Sequence, residues 1–126
     1  MYDRITQSES YYLYRVEDRL IRNRADDIAS ALPIGCTVVE IGCGNGRKIA
    51  PVLARGGFAY AANDVSSDFL DIVKVWYRQH VKGVRVKAWR ADAFDPSLPW
   101  PRADVVEGDG PVALAWLGSS LGNLAN

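Results

Sequence analysis

The chemistry this sequence can offer rests on one acid with three glycines, followed by two further acids. Glu40-Ile41-Gly42-Cys43-Gly44-Asn45-Gly46 sets an acid ahead of glycines at alternate positions, and Asp64 and Asp92 each close a later short run with strand character. Glycines let a backbone turn sharply and approach a ligand with no Cβ in the way, and a helix beginning at Gly46 would offer N–H donors to negative charge. A loop of that kind suits a nucleotide-type ligand. A carboxylate after a second strand can accept hydrogen bonds from both hydroxyls of a ribose, and one after a third strand can accept from an exocyclic amine such as that of adenine. Either aspartate alone would serve equally well as a helix N-cap or loop residue, so the functional reading rests on their placement together with the glycine loop. The glycine spacing lacks the extra residue of the G-x-G-x-x-G dinucleotide fingerprint, which argues against NAD.

The elements around these residues must bring them to one rim. Apolar positions Leu13, Val16, Leu20, Ile21, Ile28, Ala31 and Leu32 recur every three or four residues, predicting one or two amphipathic helices over about 11–32. Pro33 and Gly35 end that pattern, and the β-branched run over 36–41 predicts a buried first strand. A helix over about 47–55 should follow, with Pro51 tolerated only near its first turn. Residues 58–63 predict a second strand, and Ser66 an N-cap for a helix that sets Phe69, Val73, Trp76 and His80 along one side. Val84, Val86 and Ala88 alternate with Arg85, Lys87 and Trp89 in a third strand ending at Asp92. Two segments compete for a fourth strand, 104–107 and 112–117; the second is favoured as longer, bounded by Gly110-Pro111 and Gly118, and apolar enough to bury fully. Alternation of this kind implies a parallel sheet with right-handed crossovers, whose ligands sit beyond the carboxyl ends of the strands.

Composition removes several other functions. The 126 residues are 48% hydrophobic, enough for one domain with a core, and 15 Lys plus Arg balance 15 Asp plus Glu. Zero net charge argues against a protein that coats nucleic acid. No apolar run approaches the roughly 18 residues a membrane span needs. Residues 1–10 are polar with both charge signs, unlike a secretory or transit peptide, so a cytoplasmic location is expected. Cys36, Cys43 and His80 are too few for a disulfide scaffold or a Cys/His zinc site, and no metal is expected.

Taken in order and spacing, Glu40-Ile-Gly-Cys-Gly-Asn-Gly46, Asn63-Asp64-Val65-Ser66 and Ala91-Asp92-Ala93 resemble the class I S-adenosylmethionine-dependent methyltransferases. The ends of the chain narrow the likeness. Tyr2-Asp3-Arg4-Ile5-Thr6, the segment around Tyr11-Tyr12, and Leu117-Gly118-Ser119-Ser120-Leu121-Gly122-Asn123-Leu124 resemble the histidine-specific N-alpha-methyltransferases of ergothioneine biosynthesis and their dimethylallyltryptophan-methylating relatives.

The resemblance implies an α/β fold, a Rossmann-like and mostly parallel methyltransferase sheet truncated after about four strands, with N-terminal helices. One domain over 1–126 is expected, a helical segment over 1–33 and the core over 34–126. It implies S-adenosylmethionine as cofactor, held at Glu40, Gly42, Gly44, Gly46 and Lys48, with Asp64 on the ribose hydroxyls and Asp92 with the Ala93 amide on the adenine. Tyr11 or Tyr12, with Gly118 and Asn123, would then serve a small amino-acid substrate, N-methylated on its alpha-amino group. The family pattern continues past this chain, and a sheet stopping at four strands would expose an edge and an apolar face. Dimerisation, aggregation or marginal stability is therefore expected, with a homo-oligomer or a partner chain completing the fold.

Two other readings stand beside this one: a catalytically incomplete cofactor-binding fragment, and a nucleic-acid methyltransferase or binder. The last draws on Lys74, Arg78, Lys82, Arg85, Lys87 and Arg90, interleaved with Trp76, Tyr77 and Trp89. An exposed helix face and a charge-protected edge strand explain the same stretch more simply. No residue stands out as a general base; His80 reads as a packed or surface histidine and Cys43 as a small loop filler.

Overall fold

The computed structural model describes residues 2–92, 95 and 110–117, with side chains from residue 12 onward. Two helices, α1 (Tyr2–Asn23) and α2 (Ala25–Ala31), precede β1 (Thr37–Glu40), α3 (Ala50–Leu53), β2 (Ala59–Asp64), α4 (Ser67–His80), β3 (Arg85–Arg90) and β4 (Val112–Ala115). The strands form one sheet in the order β3-β2-β1-β4, and every pairing is parallel. Glu40 is level with Ala62 on one side and Ala115 on the other, and Asp64 is level with Arg90, so the carboxyl ends share a rim. Strand order reverses between β1 and β4. The loop leaving β1 therefore starts at the topological switch point, where open α/β sheets bind ligands.

Both crossover helices pack on one face. Val52 and Leu53 from α3 and Leu70, Val73 and Tyr77 from α4 join Val38, Tyr60 and Ala62 of the sheet in the main core, with Ile21 and Ala25 from the N-terminal helices. The alternate residues Val39, Ile41, Ala61 and Trp89 form a smaller cluster on the other face, as the period-two pleat requires.

Several expectations shift. The predicted helical region is two helices broken at Arg24, and α1 begins near the start of the chain, before the apolar periodicity sets in. Its stripe does not pack throughout: Ile21 is buried, whereas Leu13, Val16 and Leu20 are 57%, 46% and 59% exposed. The inner face of α4 is Leu70, Val73 and Tyr77, turned from the expected stripe, so Phe69 and His80 are exposed and Trp76 half-buried. That rotation lets Tyr77 rather than the indole reach beneath the loop that follows β1. At the fourth strand, Val112 and Leu114 are exposed where full burial is expected, because β4 is an edge strand among the described residues. The rival segment 104–107 lies outside them.

The other edge, β3, carries exposed Arg85 and Lys87, and Tyr77 and Trp89 are buried. Two of the three interleaved aromatics therefore offer no face on which a base could stack. Among the described residues no helix is long and apolar enough to cross a membrane.

Candidate functional site

The loop after β1 is built around left-handed glycines: Gly42, Gly44 and Gly46 have φ of 63°, 55° and 70°. This region suits glycine because a Cβ there crowds the following carbonyl. Beyond that shared need, two of these glycines answer to different surroundings. A Cβ on Gly44 would meet nothing within 4 Å, so the loop is open above it. A Cβ on Gly46 would sit 3.0 Å from Val73 Cγ2 and 3.1 Å from the Tyr60 hydroxyl, so packing from below also demands glycine.

The loop's backbone is held from β2 and α4. Cys43 N–H donates to the Asn63 carbonyl at 2.8 Å, and Gly46 N–H donates to the Cys43 carbonyl at 2.9 Å. Gly44 N–H donates to Asp64 Oδ2 at 2.9 Å, while Asp64 Oδ1 accepts from Ser66 N–H at 3.0 Å. Each Asp64 oxygen thus makes one bond inside the protein, and a carboxylate oxygen has a second lone pair to offer. The helix expected from residue 47 is four residues long and begins at Ala50, with Pro51 in its first turn. It supplies no anion site at Gly46, whose N–H is already bonded within the loop.

Next to Asp64, the buried Asn63 side chain donates to the carbonyls of Trp89 and Ala91, both at 3.1 Å. Ala91 N–H returns a bond to the Asp64 carbonyl at 3.2 Å. These bonds fasten the end of β3 to the end of β2 and so locate the exposed Asp92 on the same rim. Ala93, Gly118 and Asn123 lie outside the described residues. Tyr11 lies in α1, and the neighbouring Tyr12 is 68% exposed.

Lys48 ties α1 to the site. Its ammonium pairs with Glu17 of α1 and lies 4.3 Å from the centre of the Tyr14 ring, an ion pair and a cation–π contact on one group. The link joins residues 31 apart in sequence, and no local spacing announces it.

Beneath the loop is a buried polar cluster. Glu40 is 3% exposed and accepts a 2.5 Å hydrogen bond from the Tyr60 hydroxyl. Burial pushes its carboxyl up to about 7, against the opposing pull of that hydrogen bond and of Lys48. Tyr77 donates from its hydroxyl to the Gly46 carbonyl at 2.5 Å, and its ring stacks on Tyr60 with centres 4.9 Å apart. Burial and then the Glu40 charge push both phenols well above their ordinary value, so they stay protonated donors. The Cys43 thiol is pushed up to about 12, by burial first and then by Glu40 and Asp64, which makes it an inert filler. His80 is exposed and stacks on Trp76 at 4.8 Å.

Tyr60, Tyr77, Asn63, Glu17 and Tyr14 thus shape the site; in the sequence Asn63 stands out only as Asp64's neighbour in a motif and Tyr77 only among the interleaved aromatics, and none of the five is marked as a site residue. The one local hint is Tyr60, a lone large side chain among the alanines of β2.

With this geometry in place, comparison decides the family. The profile described as histidine-specific methyltransferase, SAM-dependent, matches residues 1–126. The chain belongs to that family. Ergothioneine biosynthesis protein 1 of Neurospora crassa is 30% identical over 130 positions, spanning 98% of this chain and 14% of the relative. Histidine N-alpha-methyltransferase of Mycobacterium tuberculosis is 29% identical over 129 positions, spanning 98% of this chain and 38% of the relative. The chain therefore covers well under half the length of either relative. Among solved structures, the cyclase SpnF superposes with a TM-score of 0.50 at 28% identity, over 67% of this chain and 30% of that one. The parallel β3-β2-β1-β4 sheet is the Rossmann-like arrangement this family membership calls for.

Proposed function

We propose that residues 1–126 form one domain, a helical segment over 1–33 and a core over 34–126, carrying the S-adenosylmethionine site of a methyltransferase that acts on the alpha-amino group of histidine or a related amino acid. The observation that carries the reading is the bond from Gly44 N–H to Asp64 Oδ2, which locks an open glycine loop to a carboxylate with lone pairs to spare. The donor set fits the cofactor. Asp64 would accept from the ribose hydroxyls, Asp92 with the Ala93 amide would meet the adenine, and Gly42 and Gly44 would let the methionine portion lie close to the backbone. Glu40 and Gly46 would support that cradle from below. Lys48 would face the carboxylate end.

When bound, S-adenosylmethionine supplies an electrophilic methyl carbon for direct displacement by an amine. The chain's contribution is positioning and exclusion of water, which can supply most of the rate in such a transfer. Tyr11 and Tyr12 belong to the helix that Glu17 and Lys48 hold to the loop, so α1 would bring the amino-acid pocket to the same rim, completed by Gly118 and Asn123.

Titrating S-adenosylhomocysteine into the chain by calorimetry tests the reading. Saturable binding is expected, weakened at least tenfold in an Asp64→Ala variant that circular dichroism shows to be folded. A folded wild-type chain that takes up no ligand overturns the proposal. Histidine incubated with S-adenosylmethionine and the chain should gain mass in steps of one methyl group.

A further inference from the structure

We propose that Tyr60 and Tyr77 are positioning residues that hold the glycine loop from beneath in the conformation a cofactor requires. This inference rests on the cofactor reading above and adds a control layer beneath it. Beneath the run Glu40 to Gly46, the Tyr60 hydroxyl bonds the Glu40 carboxyl and the Tyr77 hydroxyl bonds the Gly46 backbone carbonyl, each at 2.5 Å, while the Glu40 backbone is itself paired with β2 and β4. The two rings stack with centres 4.9 Å apart, so the two bonds form one unit. Both residues are 1% exposed and neither reaches solvent, which separates them from groups that would touch a ligand.

The loop needs such a device. It contains three consecutive alternate residues in the left-handed region, and glycine alone leaves each of them free to adopt other conformations. The bonds from Asn63 and Asp64 fix Cys43 and Gly44 from the β2 side. Among the described residues, Gly46 is met from outside the loop's own turn by the Tyr77 hydroxyl on its carbonyl and by Val73 and Tyr60 beneath its Cα. Without the Tyr77 hydroxyl, a buried carbonyl loses its partner and the far end of the loop is released to other arrangements. If the binding-competent arrangement then falls to about a tenth of the population, apparent affinity falls about tenfold, because the intrinsic constant is divided by that fraction.

The test uses Tyr77→Phe and Tyr60→Phe, which keep the rings and remove only the hydroxyls, with Phe58→Leu as a buried control at the amino end of β2. Two readouts are taken: affinity for S-adenosylhomocysteine by calorimetry, and amide hydrogen exchange of the unliganded chain by NMR. Tyr77→Phe should weaken binding about tenfold and speed exchange at Gly46 while Val39 in β1 keeps its protection. Tyr60→Phe should free the Glu40 carboxyl beneath the loop, leave the β1 amides protected and weaken binding by a similar factor. Phe58→Leu should lower Tm and leave affinity unchanged. Hydroxyl-free variants with wild-type affinity and wild-type exchange at Gly46 overturn the inference while leaving the cofactor reading intact. Faster Gly46 exchange in a chain whose wild type binds no ligand would sink the cofactor reading and keep the loop-holding role. Losses of Tm that match Phe58→Leu, with no separate loss of affinity, would reduce both tyrosines to ordinary core residues and overturn the proposal.

Discussion

The buried Glu40 carboxyl makes the stability of the fold depend on pH. Its ordinary value is 4.5 and burial in the fold raises it to about 7. Between those two values the folded chain keeps a proton that the unfolded chain has released. The folded state therefore binds more protons in that window, and stability falls as pH rises through it. The contribution is fully present below about 4.5 and lost above about 7. At about 1.36 kcal/mol for each pH unit, the difference amounts to ~3 kcal/mol. The groups acting on Glu40 include Tyr60 and Lys48, which lower its value, and Glu17 and Asp64, which raise it. Glu40→Gln keeps an oxygen to accept from Tyr60 and removes the titration. Urea unfolding of both chains from pH 4.5 to 8, followed by circular dichroism, isolates the effect, since titrations common to both cancel in the difference. The wild type should lose ~3 kcal/mol relative to the variant across that range, a midpoint shift of about 1.5 M for a slope near 2 kcal/mol/M. Parallel profiles, or a wild type that gains on the variant as pH rises, would refute the account of Glu40 as a carboxyl held neutral by burial.

Gly44 and Gly46 should separate in thermal unfolding: Gly46→Ala meets both the left-handed backbone and the Val73 contact at 3.0 Å and should cost roughly 2–4 kcal/mol, whereas Gly44→Ala meets only the backbone and should cost about 1–2 kcal/mol. Equal losses would deny that Gly46 is set by packing. A double-mutant cycle on Glu17→Gln and Lys48→Met should return a coupling of about 1 kcal/mol that added salt reduces only in part, because the side chains are only 29% and 13% exposed. No coupling at low salt would mean the link does not fasten α1 to the site.

What the sequence made legible follows from the range over which its signals act. The glycine run, Asp64 and the strand, helix, strand order depend on residue types a few positions apart, and the fold keeps that order with small changes at the strand ends and a helix after β1 cut to Ala50–Leu53. The Ser66 cap is of the same kind: its Oγ accepts from Phe69 N–H at 3.3 Å, within one helical turn. The misplaced face of α4 shows where such signals fail. Both stripes carry apolar residues at helical spacing, and only the packed fold shows that Leu70, Val73 and Tyr77 face the core, with the Tyr77 hydroxyl beneath Gly46, rather than Phe69, Val73, Trp76 and His80. Likewise Leu13, Val16 and Leu20 look like a core stripe because periodicity records amphipathicity but not what packs against it.

The candidate site divides along the same line. The groups proposed to face the ligand are local and motif-like, while the groups that hold them act across 20 residues from Tyr60 to Glu40 and across 31 from Tyr77 to Gly46 and from Lys48 to Glu17. Gly44 and Gly46 make the division concrete, since they are the same residue type in one run with nearly the same backbone angle. One faces open space and the other a valine and a tyrosine from two different elements. Only the packed fold distinguishes them, and it does so through the side of the loop on which the next atoms lie. A glycine motif read as ligand approach alone would therefore assign Gly46 to the cofactor. The Val73 and Tyr60 contacts give it a second reason to be glycine, which is to let the loop settle onto the helix that follows β2.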